Sequence, residues 1–341
     1  MALKKVQIKD AVGMVLGHDM TKIVPGEYKG PAFKKGHIIR EEDIPHLLTI
    51  GKEHIFLMEL SDDQVHENAA AERLAALVGG ADTCLRGPSE GKVTIIARQD
   101  GLLKVNRAAV TAINSVDYIV LSTLHGNRLV KAGETLAGVK VVPLIVNVET
   151  MNTVEAVATQ YQDIISVKKL RPLKTAVITT GNEVFYERIQ DRFGPVLAEK
   201  IKTYQAIAHG MSILPDDKVQ ITQAILDCAR TGAEVIIVTG GMSVDPDDVT
   251  PDAIRATGAE VITYGTPVLP GAMFMLAYLG DIAILGLPAC GMFAKITVFD
   301  LIFPRILAGE RLSKQDFAEM GYGGQCIGCE QCHYPNCSFG K

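Results

Sequence analysis

Apolar and polar positions follow one pattern up to about residue 172 and another after it. Beyond 172, short β-branched runs alternate with helical stripes. Residues 174–180, 211–214, 235–238 and 260–264 read as strands. Between them, 195–209 places Leu197, Ile201, Tyr204 and Ala208 on one stripe, with Gly210 as its stop. The next helix spaces Ile221, Ala224, Ile225, Cys228 and Ala229 at helical intervals, which makes Cys228 a core position. A helix is expected over 250–257, with Thr250 as N-cap, Pro251 in the first turn and Gly258 as stop. The longest apolar region, 272–288, carries Gly280-Asp281 near its middle; that pair signals a hairpin, so the region reads as two strands and not as a membrane helix. Repeated βα units of this length imply a mostly parallel sheet covered by helices on both faces, a three-layer αβα architecture.

The preceding half is strand-rich α+β. Strands are expected at 12–16, 55–58, 93–97, 117–121 and 139–146, and helices at 41–50, 64–79, 106–114 and in 151–170. A turn is expected at 26–31, continued through 33–37. The predicted organisation is a small β-rich subdomain over 1–60, an α+β subdomain over 61–170, an α/β domain over 172–310 and a Cys-rich tail over 321–341. No catalytic constellation stands out before residue 170. His18, His46, His54, His66 and His125 lack ligand-like spacing, and Lys29, Lys34, Lys35, His37 and Arg40 read as a solvated edge.

Three strand ends lead into polar loops: Thr180-Gly181-Asn182-Glu183, Pro215-Asp216-Asp217, and 239–248. A parallel sheet brings them out on one edge. A fourth loop, 286–291, also follows a strand and can close the same pocket. Thr239-Gly240-Gly241 ends a buried strand, and adjacent glycines let backbone amides approach a ligand with no Cβ in the way. Asp245, Asp247 and Asp248 follow, with no lysine or arginine between 235 and 252. Such a loop repels a naked phosphate but accepts Mg²⁺, which takes one or two carboxylates plus substrate phosphate oxygens. It also accepts the amino and imino groups of a heterocycle. The bland reading is a plain strand–helix connection with solvated acids.

Composition narrows the classes. The 341 residues carry 48% hydrophobic side chains, no Trp and a net charge of −5, which argues against a broad nucleic-acid surface. The opening MALKKVQIKD turns polar before any apolar core forms, so a cytoplasmic location, with no membrane contact, is expected.

TTGNEV at 179–184, LPDD at 214–217, TGGMSVDPDDVTPDAI at 239–254 and GLPACG at 286–291 resemble the molybdopterin-binding domain of molybdenum cofactor biosynthesis. That domain occurs in molybdopterin adenylyltransferases, molybdopterin molybdotransferases and the two halves of gephyrin. The resemblance covers roughly 172–310. It implies that Gly240 and Gly241 face a pterin phosphate, supported by Thr180, Gly181, Asn182, Thr239, Ser243, Asp245 and Pro288. It implies that Asp216, Asp248 and Glu183 assist adenylyl or molybdate transfer. Implied ligands and partners are molybdopterin or its adenylate, Mg²⁺, ATP, molybdate, a recipient molybdoenzyme and a second copy of the chain. The pattern also departs from the family. Its Asp-Ser-Asn run is Ile189-Gln190-Asp191-Arg192-Phe193-Gly194 here, its P-G-K-P is Pro270-Gly271-Ala272-Met273, and its L-P-G-N-P is Leu287-Pro288-Ala289-Cys290-Gly291. The first half lacks the T-G-A and P-x-G-A-D segment of a full molybdotransferase. A non-catalytic molybdopterin carrier or insertion chaperone is therefore the alternative, and a similar fold borrowed for other chemistry is a third.

Four of the seven Cys fall in the last 16 residues, as Cys326, Cys329, Cys332 and Cys337. Clustered thiols in a reducing compartment point to metal. The spacing C-x2-C-x2-C-x4-C is more compact than a zinc ribbon and nearer the ferredoxin run, so an iron–sulfur cluster is expected ahead of Zn²⁺. His333 offers a substitute ligand for zinc. Gly321, Gly323 and Gly324 read as a flexible lead-in.

Overall fold

The computed structural model describes residues 4–57 and 61–341; Met58, at the end of the expected strand 55–58, lies outside them. The chain divides into two units, 1–124 with 130–167, and 125–129 with 168–341.

The first unit has two cores. The smaller gathers Leu16, Ile39, Leu47 and Ile55 beneath a hairpin of Met20–Val24 and Tyr28–Phe33 and an antiparallel pair of Lys4–Gln7 with His54–Leu57. The larger packs the helices Glu67–Val78, Arg107–Asn114 and Val148–Ala158 on an antiparallel sheet of Thr83–Ser89, Lys92–Ala97, Thr135–Val141 and Ile119–Thr123. Buried His66 joins the two by a 3.0 Å bond from its Nε2 to the carbonyl of Gly17. The expected strand at 12–16 is absent. Its apolar residues sit in a turn, and only Val15 pairs, with Ile38. The expected turn at 26–31 instead enters the second strand of the hairpin at Tyr28.

The second unit is the αβα sandwich. Its strands are β1 (Lys174–Thr180), β2 (Ile207–Leu214), β3 (Val235–Thr239), β4 (Glu260–Tyr264), β5 (Met275–Leu279) and β6 (Ile282–Leu287). Its longer helices are α1 (Phe193–Thr203), α2 (Lys218–Arg230), α3 (Thr250–Ala256) and α4 (Val298–Leu307). The sheet order is β2-β1-β3-β6-β5-β4. The first four strands are parallel; β5 and β4 add an antiparallel edge through the hairpin at Gly280. Side chains alternate as a buried sheet requires. Val177, Val235 and Ile237 pack with α1 and α4, while Ala176, Ile178, Ile236 and Val238 pack with α2 and α3.

This order fixes where loops gather. The connection after β1 runs through α1 to β2 on one side. The connection after β3 runs through α3, on the opposite face, toward β4. The chain therefore reverses direction between β1 and β3, which opens a crevice at their carboxyl ends.

Two boundaries differ from the sequence expectation. The helix expected over 195–209 ends at Thr203, because Gln205 turns left-handed (φ 59°) and Ile207 enters β2 beside Lys174. Strand β2 is the sheet edge and mostly exposed, so its apolar residues leave no burial pattern to read. Thr250 is the first residue of α3, not its N-cap, and its hydroxyl meets Thr180 Oγ1 at 3.2 Å.

Two polar knots hold the α4 face. Buried Asp300 accepts Lys200 Nζ at 2.5 and 2.6 Å, the Tyr204 hydroxyl at 2.9 Å and the Thr297 amide at 2.8 Å. Arg305, also buried, pairs with Glu310 at 2.8 Å and with Asp316 at 2.5 Å. Burial alone would raise the Asp316 carboxyl, but hydrogen bonds from Ser313 and Arg305 outweigh it and hold the group at about 2. A depressed carboxyl contributes stability that is present above its ordinary value and is lost as pH falls through the folded one. The expected outcome is an acid limb between pH of roughly 4 and 2, visible in urea midpoints and flattened by Asp316→Asn. Removing Asp300 leaves Lys200 and Tyr204 unpaired in the interior, so Asp300→Ala should lose about 3–5 kcal/mol of unfolding free energy by the same measurement.

Candidate functional site at the switch between two strands

The crevice is built from residues that only this register brings together. Thr179 stands opposite Thr239 at the ends of β1 and β3. Gly240 follows with φ 98° and Gly241 with φ 54°. A Cβ on Gly240 would run into the carbonyl oxygen of Thr180, and one on Gly241 would sit 3.0 Å from Thr250 Oγ1. The first glycine is thus required by the packing of two strand ends. The second keeps the start of α3 close, where the Thr250 amide donates to the Gly241 carbonyl at 3.2 Å. Just before them, the Thr239 hydroxyl is fully buried and has no hydrogen-bond partner among the described residues. An unmatched buried hydroxyl costs roughly 1–3 kcal/mol unless a group from outside the protein meets it.

The second wall comes from β1. Gly181 donates its amide to the Leu214 carbonyl at 3.2 Å, and this ties the end of β1 to the end of β2. Asn182 and Asp216 then clasp each other: the Asn182 amide donates to Asp216 Oδ2 at 2.8 Å, and the Asp216 amide to Asn182 Oδ1 at 3.3 Å. Burial pushes the Asp216 carboxyl up, the Asn182 amide offsets part of that, and the negative charges of Glu183, Asp248 and Asp247 push it further. The four carboxylates come from the three loops at the carboxyl ends of the parallel strands. Among the described residues, no three His, Cys, Asp or Glu side chains are drawn together closely enough to hold a metal ion by themselves.

The acidic loop is tethered, not free. Asp248 Oδ2 accepts the Asp245 amide at 3.0 Å, which curls the loop into a turn. The Tyr264 hydroxyl reaches the carbonyls of Met242 at 3.0 Å and Ser243 at 3.2 Å. Met242 packs its thioether against Gly286 of β6, where a Cβ would stand 2.8 Å from the sulfur. Ser243, Asp245 and Asp247 are exposed on this tethered loop, and Asp248 is half-buried. Pro288 lines a small cavity with Phe193, Leu197, Lys200, Gly271 and Cys290. Burial pushes the Cys290 thiol up and keeps it protonated at neutral pH.

Two contributors went unread in the sequence. Asp191 receives the Phe193 amide at 2.8 Å and the Gly194 amide at 3.1 Å, capping α1, and lies 3.4 Å from Thr179 Oγ1. An acid four residues before Pro195 was the available signal. Tyr264 had none, since its contact runs between distant loops.

The tail is folded. Gln325 bridges Leu269, Phe339 is buried in the α4-side core, and Gly340 bonds back to Gly323 at 2.9 Å. The expected flexible lead-in is therefore a packed turn. A Cβ on Gly324 would strike Pro267, and one on Gly323 would strike Lys341. Cys326, Cys329, Cys332 and Cys337 line one cavity, but their sulfurs do not close on a common point. The expected complete metal shell is not formed.

Among known proteins, residues 176–308 match the family described as a probable molybdopterin binding domain, and residues 5–59 match one described only as a domain of unknown function. The chain is 25% identical over 95 residues to the molybdopterin adenylyltransferase of Pyrococcus furiosus, covering 28% of this chain and 56% of that protein. It is 26% identical over 161 residues to the molybdopterin molybdenumtransferase of Haemophilus influenzae, covering 45% and 39%. The chain thus spans about half the length, or less, of these curated relatives. A crystal structure of the tungsten cofactor synthesizing protein MoaB from Pyrococcus furiosus aligns with a TM-score of 0.34 at 18% identity, over 41% of this chain and 98% of that one. No helix among the described residues is long and apolar enough to cross a membrane. The match to the molybdopterin-binding domain family therefore falls on 176–308, the segment that carries the αβα sheet and its strand-end crevice.

Proposed function

We propose that this chain acts in molybdenum cofactor biosynthesis by holding molybdopterin, or its adenylate, at the crevice between β1 and β3. The orphaned Thr239 hydroxyl beside the two left-handed glycines carries this reading. In it, the amides of Gly240 and Gly241 and the Thr239 hydroxyl receive the terminal phosphate, flanked by Thr180 and Gly181. Ser243 and Asp245 on the tethered loop and Asn182 across the crevice face the heterocycle, and Pro288 borders it.

The acids define the chemistry. Asp216 and Asp248 would hold Mg²⁺ together with phosphate oxygens of the substrate, consistent with a site that lacks three protein ligands of its own. Bound there, Mg²⁺ neutralises charge in phosphoryl or metal transfer, a reaction carried mainly by positioning. Glu183 adds charge from the β1 loop. ATP or molybdate would be the co-substrate and a molybdoenzyme the recipient.

The carrier reading rests on one observation. Gly271-Ala272 stands where the resembling family has a lysine, and Lys200, which lines the cavity beside Gly271 and Pro288, is held by Asp300. Incubating the chain with molybdopterin, then separately with Mg-ATP and with molybdate, separates the two. An enzyme converts the pterin with one co-substrate; a carrier retains it unchanged. A chain that retains no pterin under any condition removes both.

Thr239→Val tests the phosphate seat. It deletes a buried hydroxyl without a partner at nearly constant volume, so urea stability should hold or rise. Pterin binding should weaken about tenfold, the loss of roughly 1.4 kcal/mol. Unchanged affinity would remove the hydroxyl from the site. Asp216→Asn tests the acids. A raised carboxyl lowers stability as pH rises from its ordinary value through its folded one, so removing the charge should raise the melting temperature at neutral pH. Mg²⁺-dependent turnover should be abolished in the same variant. In the unmodified chain, Mg²⁺ and a proton compete for Asp216, so Mg²⁺ affinity should climb with pH across the acid range.

A further inference from the structure

The tail cavity lies outside the crevice and is not used by the proposed function. It has a volume of 560 Å³ and is lined by all four tail thiols, by His333 and by Phe293, Ile296 and Phe339. All four Cys are free, and Cys329 is exposed. Three features show a built loop. The chain enters and leaves it at one neck, closed by three short backbone bonds: Leu269 donates to the Gly324 carbonyl at 2.8 Å, Cys326 to the Leu269 carbonyl at 2.8 Å, and Gly340 to the Gly323 carbonyl at 2.9 Å. Phe339 is buried and anchors the returning chain in the core. Between the first two thiols, Gly328 takes φ 66° with no atom near its absent Cβ. Nothing in the packing asks for glycine there. The backbone turn does, and that turn brings Cys326 and Cys329 to one cavity.

We propose that this loop is a thiolate site for a soft metal centre, with Cys326, Cys329, Cys332 and Cys337 as ligands and His333 beside them. A Cys ligand must lose its proton to bind, so neutral thiols have no reason to converge by themselves. Each thiol that binds a metal ion releases one proton to solvent, the metal keeps its oxidation state, and the pinned arc 326–337 closes. Soft thiolates select zinc or iron–sulfur over magnesium. The inference is independent of pterin binding, because none of its ligands belongs to the crevice.

The test uses the full chain purified without oxygen. Zinc, iron and inorganic sulfide are measured as isolated, and Co²⁺ alone is then titrated into chelator-treated protein. The expected result is one centre per chain, with intense thiolate–cobalt bands saturating at one equivalent and thiol protons released. Zinc without sulfide identifies a mononuclear site; iron with sulfide identifies a cluster. Cys329→Ser combined with Cys332→Ser should lose both the native metal and the cobalt bands, while Cys84→Ser keeps them. Circular dichroism of each variant establishes that the fold persists; Cys329→Ser alone, at an exposed position, serves if the double variant fails to fold. Absence of metal as isolated together with no cobalt bands overturns the proposal. So does equal labelling of the tail thiols with and without Co²⁺, or a mass showing disulfides among them.

Discussion

No side chain fits at position 240, and much of the crevice depends on that. Strand ends Thr180 and Thr239 lie so close that a Cβ on Gly240 would overlap the Thr180 carbonyl. The approach lets Thr180 and Thr250 share a hydrogen bond, and so sets where α3 starts. With α3 placed, the nine residues from Gly241 to Val249 must return in a short arc. The arc is curled by Asp245 and Asp248 and pinned by Tyr264. A non-glycine residue would add backbone strain of roughly 1–3 kcal/mol at a φ of 98° before any overlap is counted. The glycines therefore serve the fold first. The amides that a phosphate would use sit where they do because of the same constraint.

The acids run the other way. Glu183, Asp216, Asp247 and Asp248 repel one another, and their combined charge raises Asp216 after burial has already done so. A fold selected for stability alone would not gather them on one edge. Proteins break such rules at functional sites and compensate elsewhere. Here the compensation is local: Asn182 clasps Asp216 in both directions, and the Asp245 amide holds Asp248.

Legibility followed burial. The β1 strand was read with its full extent, and β3 within one residue, because both faces are covered and the chain shows an unbroken β-branched run. The β5–β6 hairpin was legible from Gly280-Asp281 alone. The end of α1 was not, since edge strand β2 is mostly exposed and its Ala208 continues the stripe of Leu197, Ile201 and Tyr204 by accident of spacing. Glycine proved ambiguous in the tail. Gly323 and Gly324 read as flexible, yet they are there because Lys341 and Pro267 pass too close for a side chain. In the crevice, the acids and glycines were visible one by one. Their tethers were not: Asn182 to Asp216, Tyr264 to Met242 and Thr180 to Thr250 span 34, 22 and 70 residues. No local pattern records such pairs.

Asp300 connects the tail to the crevice loops. It caps α4 through the Thr297 amide, and so fixes the end of the segment that leaves the loop 286–291. That segment, Phe293 to Ile296, forms one wall of the thiol cavity. Burial raises the Tyr334 hydroxyl to about 12, and the charge of Asp300 adds to the rise. Lys200 supplies the balancing charge from α1 and lines the cavity at Pro288. One buried carboxylate therefore orders the helix start and the loop exit, and its charge is felt at the tail ring. The tail is for this reason part of the α/β unit's packing, and its thiols are held beside the segment leading out of the Pro288 loop, not at the end of a free chain.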